Sequence, residues 1–280
     1  MQQRVTAPVI AASKGGRKLS MVTAYDYSSA LLADEAGLDM ILVGDSLAMV
    51  VLGHDDTLSV TMDEMLHHVR AVSRGAKRAL VVADMPFMSY HAGVDDAVAN
   101  AGRFLKEAGA RAVKVEGAGA MLPKIAAMTG AQIPVLGHLG LTPQSIARMG
   151  GFKVQARTAE AAGMLTADAL ALVEAGCFAI VLEAVPAAVA AEVTRAAPVP
   201  TIGIGAGPGC DGQVLVYHDI LGLYDKLRPK FAKRYAELGL ASREALERYK
   251  AEVESGAFPG PEHSFAMLAG EEAKLRETDR

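Results

Sequence analysis

Short apolar runs alternate with longer helix-patterned stretches along most of the chain. The runs are Leu19–Ala24, Asp39–Gly44, Ala79–Asp84, Ala112–Glu116, Gln132–Gly137, Phe178–Glu183, Pro200–Gly205 and Gln213–His218. Most are continuously apolar, the pattern of parallel strands covered on both faces. Between them, Ser28–Ala36 opens on serines and stops at Gly37. Thr61–Gly75 opens on a threonine with Glu64 three residues on, the spacing of a reciprocal cap. Val94–Gly109 and Thr166–Gly176 close on glycine, the usual residue just past a helix. Eight such alternations predict an α/β chain closed into a (β/α)8 TIM barrel rather than an open doubly wound sheet. Residues 1–280 are expected to form one barrel domain, with 226–280 as a C-terminal helical arm beyond the eighth run. That arm is charged, helical by pattern and interrupted at Phe258-Pro259-Gly260-Pro261. Its basic cluster Lys226, Arg228, Lys230, Lys233 and Arg234 is read as a solvated or ion-paired helix face. Two connections, Leu47–Val60 and His138–Leu165, exceed what a plain loop needs and are expected to carry function.

The composition fits this picture. Of 280 residues 51% are hydrophobic and 21% charged, enough for a large core and too apolar for disorder. The 28 basic and 32 acidic residues give a net charge of −4, against a nucleic-acid binder, which needs a basic footprint. No uncharged apolar stretch is long enough to span a membrane. The apolar run near the start, Ala7–Ala12, is short for an export signal. A cytoplasmic protein without membrane or nucleic-acid partners is expected. Cys177 and Cys210 form no CxxC pair and are expected to be reduced thiols.

Polar residues fall where a barrel keeps its active site, at the C-terminal ends of apolar runs. Asp45 follows Met-Ile-Leu-Val-Gly, with Ser46 next. Asp84 ends Leu-Val-Val-Ala-Asp, Lys114 and Glu116 end Ala-Val-Lys-Val-Glu, His138 follows Pro-Val-Leu-Gly, and Glu183 ends Ala-Ile-Val-Leu-Glu. Any one acid would serve equally as a helix cap or surface ion pair. Several on one mouth would repel each other without a cation. Hard oxygen donors suit Mg2+, with Asp45 and Asp84 as direct ligands and Glu116 bound directly or through water. Lys114, two residues from Glu116, faces the same side of its strand and can hold a substrate carboxylate or oppose an enolate charge. A Lys–Glu pair confined to the barrel wall is the structural alternative. Glu183, on another strand and off the metal, is a candidate general base. His138 is a candidate acid, substrate ligand or purely structural group. Gly203-Ile-Gly205-Ala-Gly207 is followed by Pro208, which breaks the dinucleotide fingerprint; close backbone approach to a ligand is the expected use of these glycines.

Several motifs occur in a characteristic order: Gly44-Asp45-Ser46, Asp84-Met-Pro-Phe-Met-Ser-Tyr90, Val113-Lys-Val-Glu-Gly117, Gly137-His-Leu-Gly-Leu-Thr-Pro143, Gly203–Gly207, Asp211-Gly-Gln-Val-Leu-Val216, His218-Asp219 and Phe258–Phe265. Together they resemble the ketopantoate hydroxymethyltransferase family over roughly Lys18 to Phe265. The resemblance implies a Mg2+-dependent barrel enzyme that moves a one-carbon unit from 5,10-methylenetetrahydrofolate to 3-methyl-2-oxobutanoate in pantothenate biosynthesis. It implies Asp45, Asp84 and Glu116 at the metal, Asp45, Ser46, Asp84 and Lys114 at the keto acid, and Glu183 as proton acceptor. It places His138 in the active site without fixing its role. It also implies a homodecamer of two five-membered rings, with the C-terminal arm at subunit contacts. The segment from Gly151 to Ala156 departs from the family pattern, which more often reads tyrosine at 152 and glycine at 156. The competing enzyme reading is a Mg2+-dependent C–C or C–P lyase or mutase of the phosphoenolpyruvate mutase and isocitrate lyase kind. A non-catalytic binding protein would leave the gathered acids unexplained.

Overall fold

The computed structural model describes residues 4–226 and 228–277. Eight parallel strands close into a barrel: β1 (Leu19–Thr23), β2 (Met40–Val43), β3 (Leu80–Asp84), β4 (Ala112–Glu116), β5 (Val135–Gly140), β6 (Ala179–Glu183), β7 (Thr201–Ile204) and β8 (Gly212–Leu215). Each pairs with the next, and β8 returns to β1 through Met21 opposite Val214. This is the (β/α)8 barrel expected from the apolar alternation.

Side chains alternate across each strand, so one run supplies two surfaces. Met40 and Leu42 of β2, Leu80 and Val82 of β3, Ala112 of β4, Leu136 of β5 and Val181 of β6 fill the barrel interior. Their neighbours Ile41, Val81, Val113, Val135 and Ile180 pack outward against the helices. Both sets are buried, which is why the runs read as continuously apolar. Val5, Ala7 and Ile10, from the segment around the short helix Ala7–Ala11, join the interior cluster.

Local signals set the helices. In Met62–Gly75, the Thr61 hydroxyl accepts from Glu64 N–H at 3.3 Å while the Glu64 carboxylate accepts from Thr61 N–H at 2.8 Å, closing the expected cap. Val94–Ala108 ends on Gly109 at φ 78°, a left-handed turn that suits glycine.

Some boundaries differ from expectation. The fifth strand runs Val135–Gly140, not Gln132–Gly137, because Pro134 has no N–H to give the ladder; His138 is therefore inside the strand. The eighth stops at Leu215, since Tyr217–Ile220 turns helical and Tyr217 N–H binds the Thr23 hydroxyl at 2.9 Å. The helix expected at Thr166–Gly176 starts earlier, at Ala159, capped by Thr158; its alanine-rich first turns carry no apolar stripe.

The chain divides into two compact units, Met1–Ile220 with Tyr224–Lys233, and Leu221–Leu223 with Arg234–Arg280. The first contains the barrel. The second holds helices Leu238–Ser255 and Glu271–Glu277, with a short 3-10 turn at Pro261–His263 between them. Residues 228–237 are not helical, contrary to the pattern reading, and Pro229 stands within them. The basic cluster is thus not a helix face, but ion pairing holds in part: Arg228 meets Asp225 and Arg234 meets Glu237, each at 2.8 Å. Among the described residues no helix is long and apolar enough to cross a membrane. Cys177 and Cys210 are buried free thiols, and burial pushes the Cys177 thiol up to about 12.

Candidate active site

Parallel register brings the polar strand ends side by side. Asp84 of β3 is level with Lys114 of β4, Glu116 of β4 with His138 of β5, and Gly140 of β5 with Glu183 of β6. Asp45 and Ser46 occupy the turn after β2, where Asp45 N–H donates to Asp84 Oδ2 at 3.3 Å. Asp45, Asp84, Lys114, Glu116 and His138 are all buried. Glu183 is the more open acid, with its side chain 16% exposed. Every site residue flagged in the sequence therefore reaches one rim of the barrel.

The pairings follow from the register. Lys114 Nζ lies 2.6 Å from Asp84 Oδ1 and 3.7 Å from Glu116 Oε1, so its closer partner is the neighbouring strand's aspartate rather than the glutamate on its own strand. His138 stands between two acids, with Nδ1 3.3 Å from Glu116 Oε1 and Nε2 3.2 Å from Glu183 Oε2. These are ion-pair distances, poorly aligned for hydrogen bonds.

Burial pushes the Asp45 carboxyl well above its usual range, and repulsion from Asp84 and Glu116 pushes it further. Burial raises Asp84 as well, against the pull of Lys114. For Glu116 burial acts upward but His138 and Lys114 outweigh it, leaving the group below its usual range. Lys114 is opposed by burial, yet the three surrounding acids hold it charged. Burial and Lys114 work against a charge on His138, while Glu116 and Glu183 carry it up to about 9.

These residues line a cavity of about 300 Å3, within the range of small-molecule sites. Both long connections flagged in the sequence form its walls, through Met49, Val50 and Thr57 from the first and Leu141, Pro143 and Phe152 from the second. The glycines after β7 do something other than expected. A Cβ at Gly205 would come within 2.8 Å of the Phe231 ring, and one at Gly207 within 2.4 Å of Ala187 Cβ, so they admit protein rather than ligand.

Several polar residues here escaped the sequence reading. Buried Gln144 donates from Nε2 to Asp45 Oδ2 and to the Met85 carbonyl, both at 2.9 Å, and from its backbone N–H to Glu116 Oε2 at 3.0 Å. The Tyr90 hydroxyl donates to Gln144 Oε1 at 2.7 Å. Tyr25 and Ser46 share a hydroxyl contact of 2.8 Å, and burial pushes the Tyr25 phenol up. Asp219 is a further buried acid of the cavity wall. The Thr57 hydroxyl lines the cavity, buried and without a hydrogen-bond partner. The only sequence signals were the place of Gln144 just after Pro143, of Tyr90 within the Asp84 motif, and of Asp219 in His218-Asp219.

Among the described residues no three His, Cys, Asp or Glu side chains gather tightly enough to hold an ion by themselves. The donors that do fit a hard cation are the adjacent carboxylates of Asp45 and Asp84, buried and mutually repelling, with Glu116 Oε1 lacking any hydrogen-bond partner. Such a cation would keep positions for water and substrate, as Mg2+ does.

A sequence model of ketopantoate hydroxymethyltransferase matches residues 4–261. The chain is 67% identical over 275 residues to the 3-methyl-2-oxobutanoate hydroxymethyltransferase of Syntrophobacter fumaroxidans, covering 98% of each chain. It is 62% identical over 265 residues to the enzyme of the same name from Moorella thermoacetica, covering 94% of this chain and 98% of that one. Among solved structures, phosphonopyruvate hydrolase superposes with a TM-score of 0.61 at 16% identity over 100% of this chain and 96% of its own. A 2,3-dimethylmalate lyase of the PEP mutase/isocitrate lyase superfamily gives 0.58 at 17% identity over 98% and 99%. At that identity the likeness is one of fold.

Proposed function

The chain belongs to the ketopantoate hydroxymethyltransferase family, and on that premise we propose that it transfers a hydroxymethyl group from 5,10-methylenetetrahydrofolate to 3-methyl-2-oxobutanoate, giving 2-dehydropantoate. The observation that carries the reading is the sharing of one cavity by two kinds of acid. Asp45, Asp84 and Glu116 are sealed beside Lys114, while Glu183 is the open one. Mg2+ held by Asp45 and Asp84, with Glu116 directly or through water, would supply Lewis-acid polarisation of the keto oxygen. Asp45, Ser46, Asp84 and Lys114 hold the keto acid. The Lys114 ammonium, kept charged by its acids, opposes the negative charge that grows on the substrate oxygens. Glu183 takes the C3 proton, and the resulting nucleophilic carbon attacks the methylene carbon of the opened folate iminium. The methylene carbon and one water together make the hydroxymethyl group, and the folate departs as its free amine. His138, 3.2 Å from Glu183, sets an imidazole beside that carboxylate whose positive charge Glu116 and Glu183 favour.

The same reading includes a homo-oligomer, the family's decamer, in the cytoplasm. Its support is the apolar surface of the second unit, where Leu246, Tyr249 and Leu268 are exposed. The arm from 226 onward is taken as the part of the chain that serves this assembly.

The deciding experiment supplies purified protein with 3-methyl-2-oxobutanoate and Mg2+, with and without 5,10-methylenetetrahydrofolate. Product that forms only with the folate is the expected result. Cleavage of a C–C or C–P bond in a 2-oxo acid without folate would replace this reading with the lyase one.

A further inference from the structure

We propose that Gln144 is a positioning residue that selects which carboxylate oxygens of Asp45 and Glu116 face the cavity. The inference rests on the divalent-ion reading given above. A carboxylate oxygen that already accepts a hydrogen bond has a lone pair fewer for an ion and a fixed orientation, so its other oxygen is the better donor. Gln144 Nε2 occupies Asp45 Oδ2, which leaves Oδ1, and its backbone N–H occupies Glu116 Oε2, which leaves Oε1, free of hydrogen bonds and 3.3 and 3.7 Å from His138 Nδ1 and Lys114 Nζ.

The amide can sit only one way round. Asp45 Oδ2 and the Met85 carbonyl are both acceptors, so the nitrogen must face them. The oxygen then faces Tyr90. The Tyr90 oxygen accepts from Glu116 N–H at 3.3 Å, which commits its own proton to Gln144 Oε1. The result is a closed circuit from Glu116 through Tyr90 and Gln144 to Asp45, with both Nε2 protons of Gln144 donated and its Oε1 engaged. A methionine here would match the volume and orphan two acceptors; a glutamate would set an anion against Asp45. Partners that orient metal-binding carboxylates typically carry 10–100-fold in affinity.

The test measures Mn2+ affinity of the full chain by electron paramagnetic resonance for wild type, Gln144→Met, Tyr90→Phe, the double variant and Asp84→Asn. Thermal midpoints are read in EDTA alongside, since a merely structural role would lower the midpoint and leave the affinity of the folded protein unchanged. We expect Gln144→Met to bind about 10–100-fold more weakly. Tyr90→Phe should weaken binding in the same direction by less, and the double variant should be no weaker than Gln144→Met alone, because Tyr90 acts through Gln144. Should Gln144→Met fail to fold, Tyr90→Phe carries the test by itself, and its wild-type affinity would overturn the inference. Wild-type affinity in Gln144→Met, with Asp84→Asn impaired, overturns the positioning role and leaves the ion reading standing. Fully additive losses in the double variant overturn the circuit. A wild-type protein that binds no Mn2+ at millimolar concentration defeats the ion reading, and this inference falls with it.

Discussion

His138 Nε2 lies 3.2 Å from Glu183 Oε2, which ties the open acid of the cavity to a buried imidazole. The other ring nitrogen faces Glu116 at 3.3 Å, so the imidazole stands between acids carried by the strands on either side of its own. Glu183 thus has a buried neighbour without being closed off from the cavity.

Proton abstraction by Glu183 can be isolated from transfer. In the absence of folate, 3-methyl-2-oxobutanoate should exchange its C3 hydrogen with deuterated water, followed by proton NMR. Glu183→Gln removes the base and is expected to slow exchange by about 10²–10⁴-fold. His138→Gln, which removes only the neighbouring imidazole, should slow it less. Exchange at the wild-type rate in Glu183→Gln would assign the base elsewhere.

Lys114 supplies the positive charge that makes three sealed acids tolerable. Lys114→Met removes it and leaves Asp84 uncompensated. Breaking a buried pair from one side costs about 3–5 kcal/mol, so urea unfolding in EDTA should show a loss of that order. Saturating Mg2+ should return part of it, since an ion bound only by the folded state stabilises that state. A variant within about 1 kcal/mol of wild type in EDTA would mean that the acids do not depend on this ammonium.

The barrel and its charged rim were legible for one physical reason: a strand packed on both faces must be apolar, so a charge at its end stands out. Asp45, Asp84, Lys114, Glu116, His138 and Glu183 were all found that way. Gln144, Tyr90, Tyr25 and Thr57 were not, because neutral polar residues near turns look alike whether they cap a loop or line a cavity. Their contacts depend on where a loop returns, as when Gln144 reaches Asp45 across 99 positions, and no periodicity records that. In 228–237 the charge spacing suggests a helix, while Pro229 stands in the segment and no helix forms.

Gly140 shows how closely the site depends on backbone. It sits at φ 92°, and a Cβ there would lie 2.2 Å from the Glu183 carbonyl oxygen, which accepts from Leu141 N–H at 2.9 Å. Backbone cannot yield as a flexible side chain does. Gly140→Ala should therefore displace the strand end that carries Glu183, lowering the thermal midpoint and reducing the exchange rate together. An alanine variant with wild-type exchange would show that Glu183 tolerates movement of its own backbone.

At the opposite end of the strands, Asp39 serves stability. Its carboxylate accepts from Ser20 N–H at 2.9 Å, the Ser20 hydroxyl at 3.1 Å and Arg17 at 2.9 and 2.5 Å. Burial alone would raise the group, but these bonds outweigh it and hold it below its ordinary 3.8. A carboxyl depressed on folding stabilises fully above its unfolded value and loses that contribution as pH falls through the folded one. The Arg17 guanidinium lowers the group most, the Ser20 N–H and hydroxyl next; the Arg17 side chain is 64% exposed, so solvent screening discounts its share of the stability. Asp39→Asn is expected to cost about 1–3 kcal/mol between pH 5 and 7, with the gap to wild type closing below pH 4. Denaturant midpoints across that range would measure it, and a gap that widens on acidification would reverse the assignment.

Ala156 sits at φ 53°, in the left-handed region that favours glycine, the residue that the motif resemblance leads one to expect there. That conformation costs a residue with a Cβ about 1–2 kcal/mol, while glycine enters it freely and loses part of the gain through its greater freedom when unfolded. Ala156→Gly should therefore stabilise the protein by about 0.5–1 kcal/mol, a rise of roughly 1–4 °C in Tm for a chain of this size. Ala184, which follows Glu183, is also left-handed at φ 47°, so Ala184→Gly would relieve similar strain but loosen the backbone beside the proposed base. Calorimetry on both variants with the exchange assay beside it separates the two effects. Both should melt higher, and Ala184→Gly alone should exchange more slowly. A lower Tm for Ala156→Gly would mean that contacts of the alanine methyl outweigh the strain.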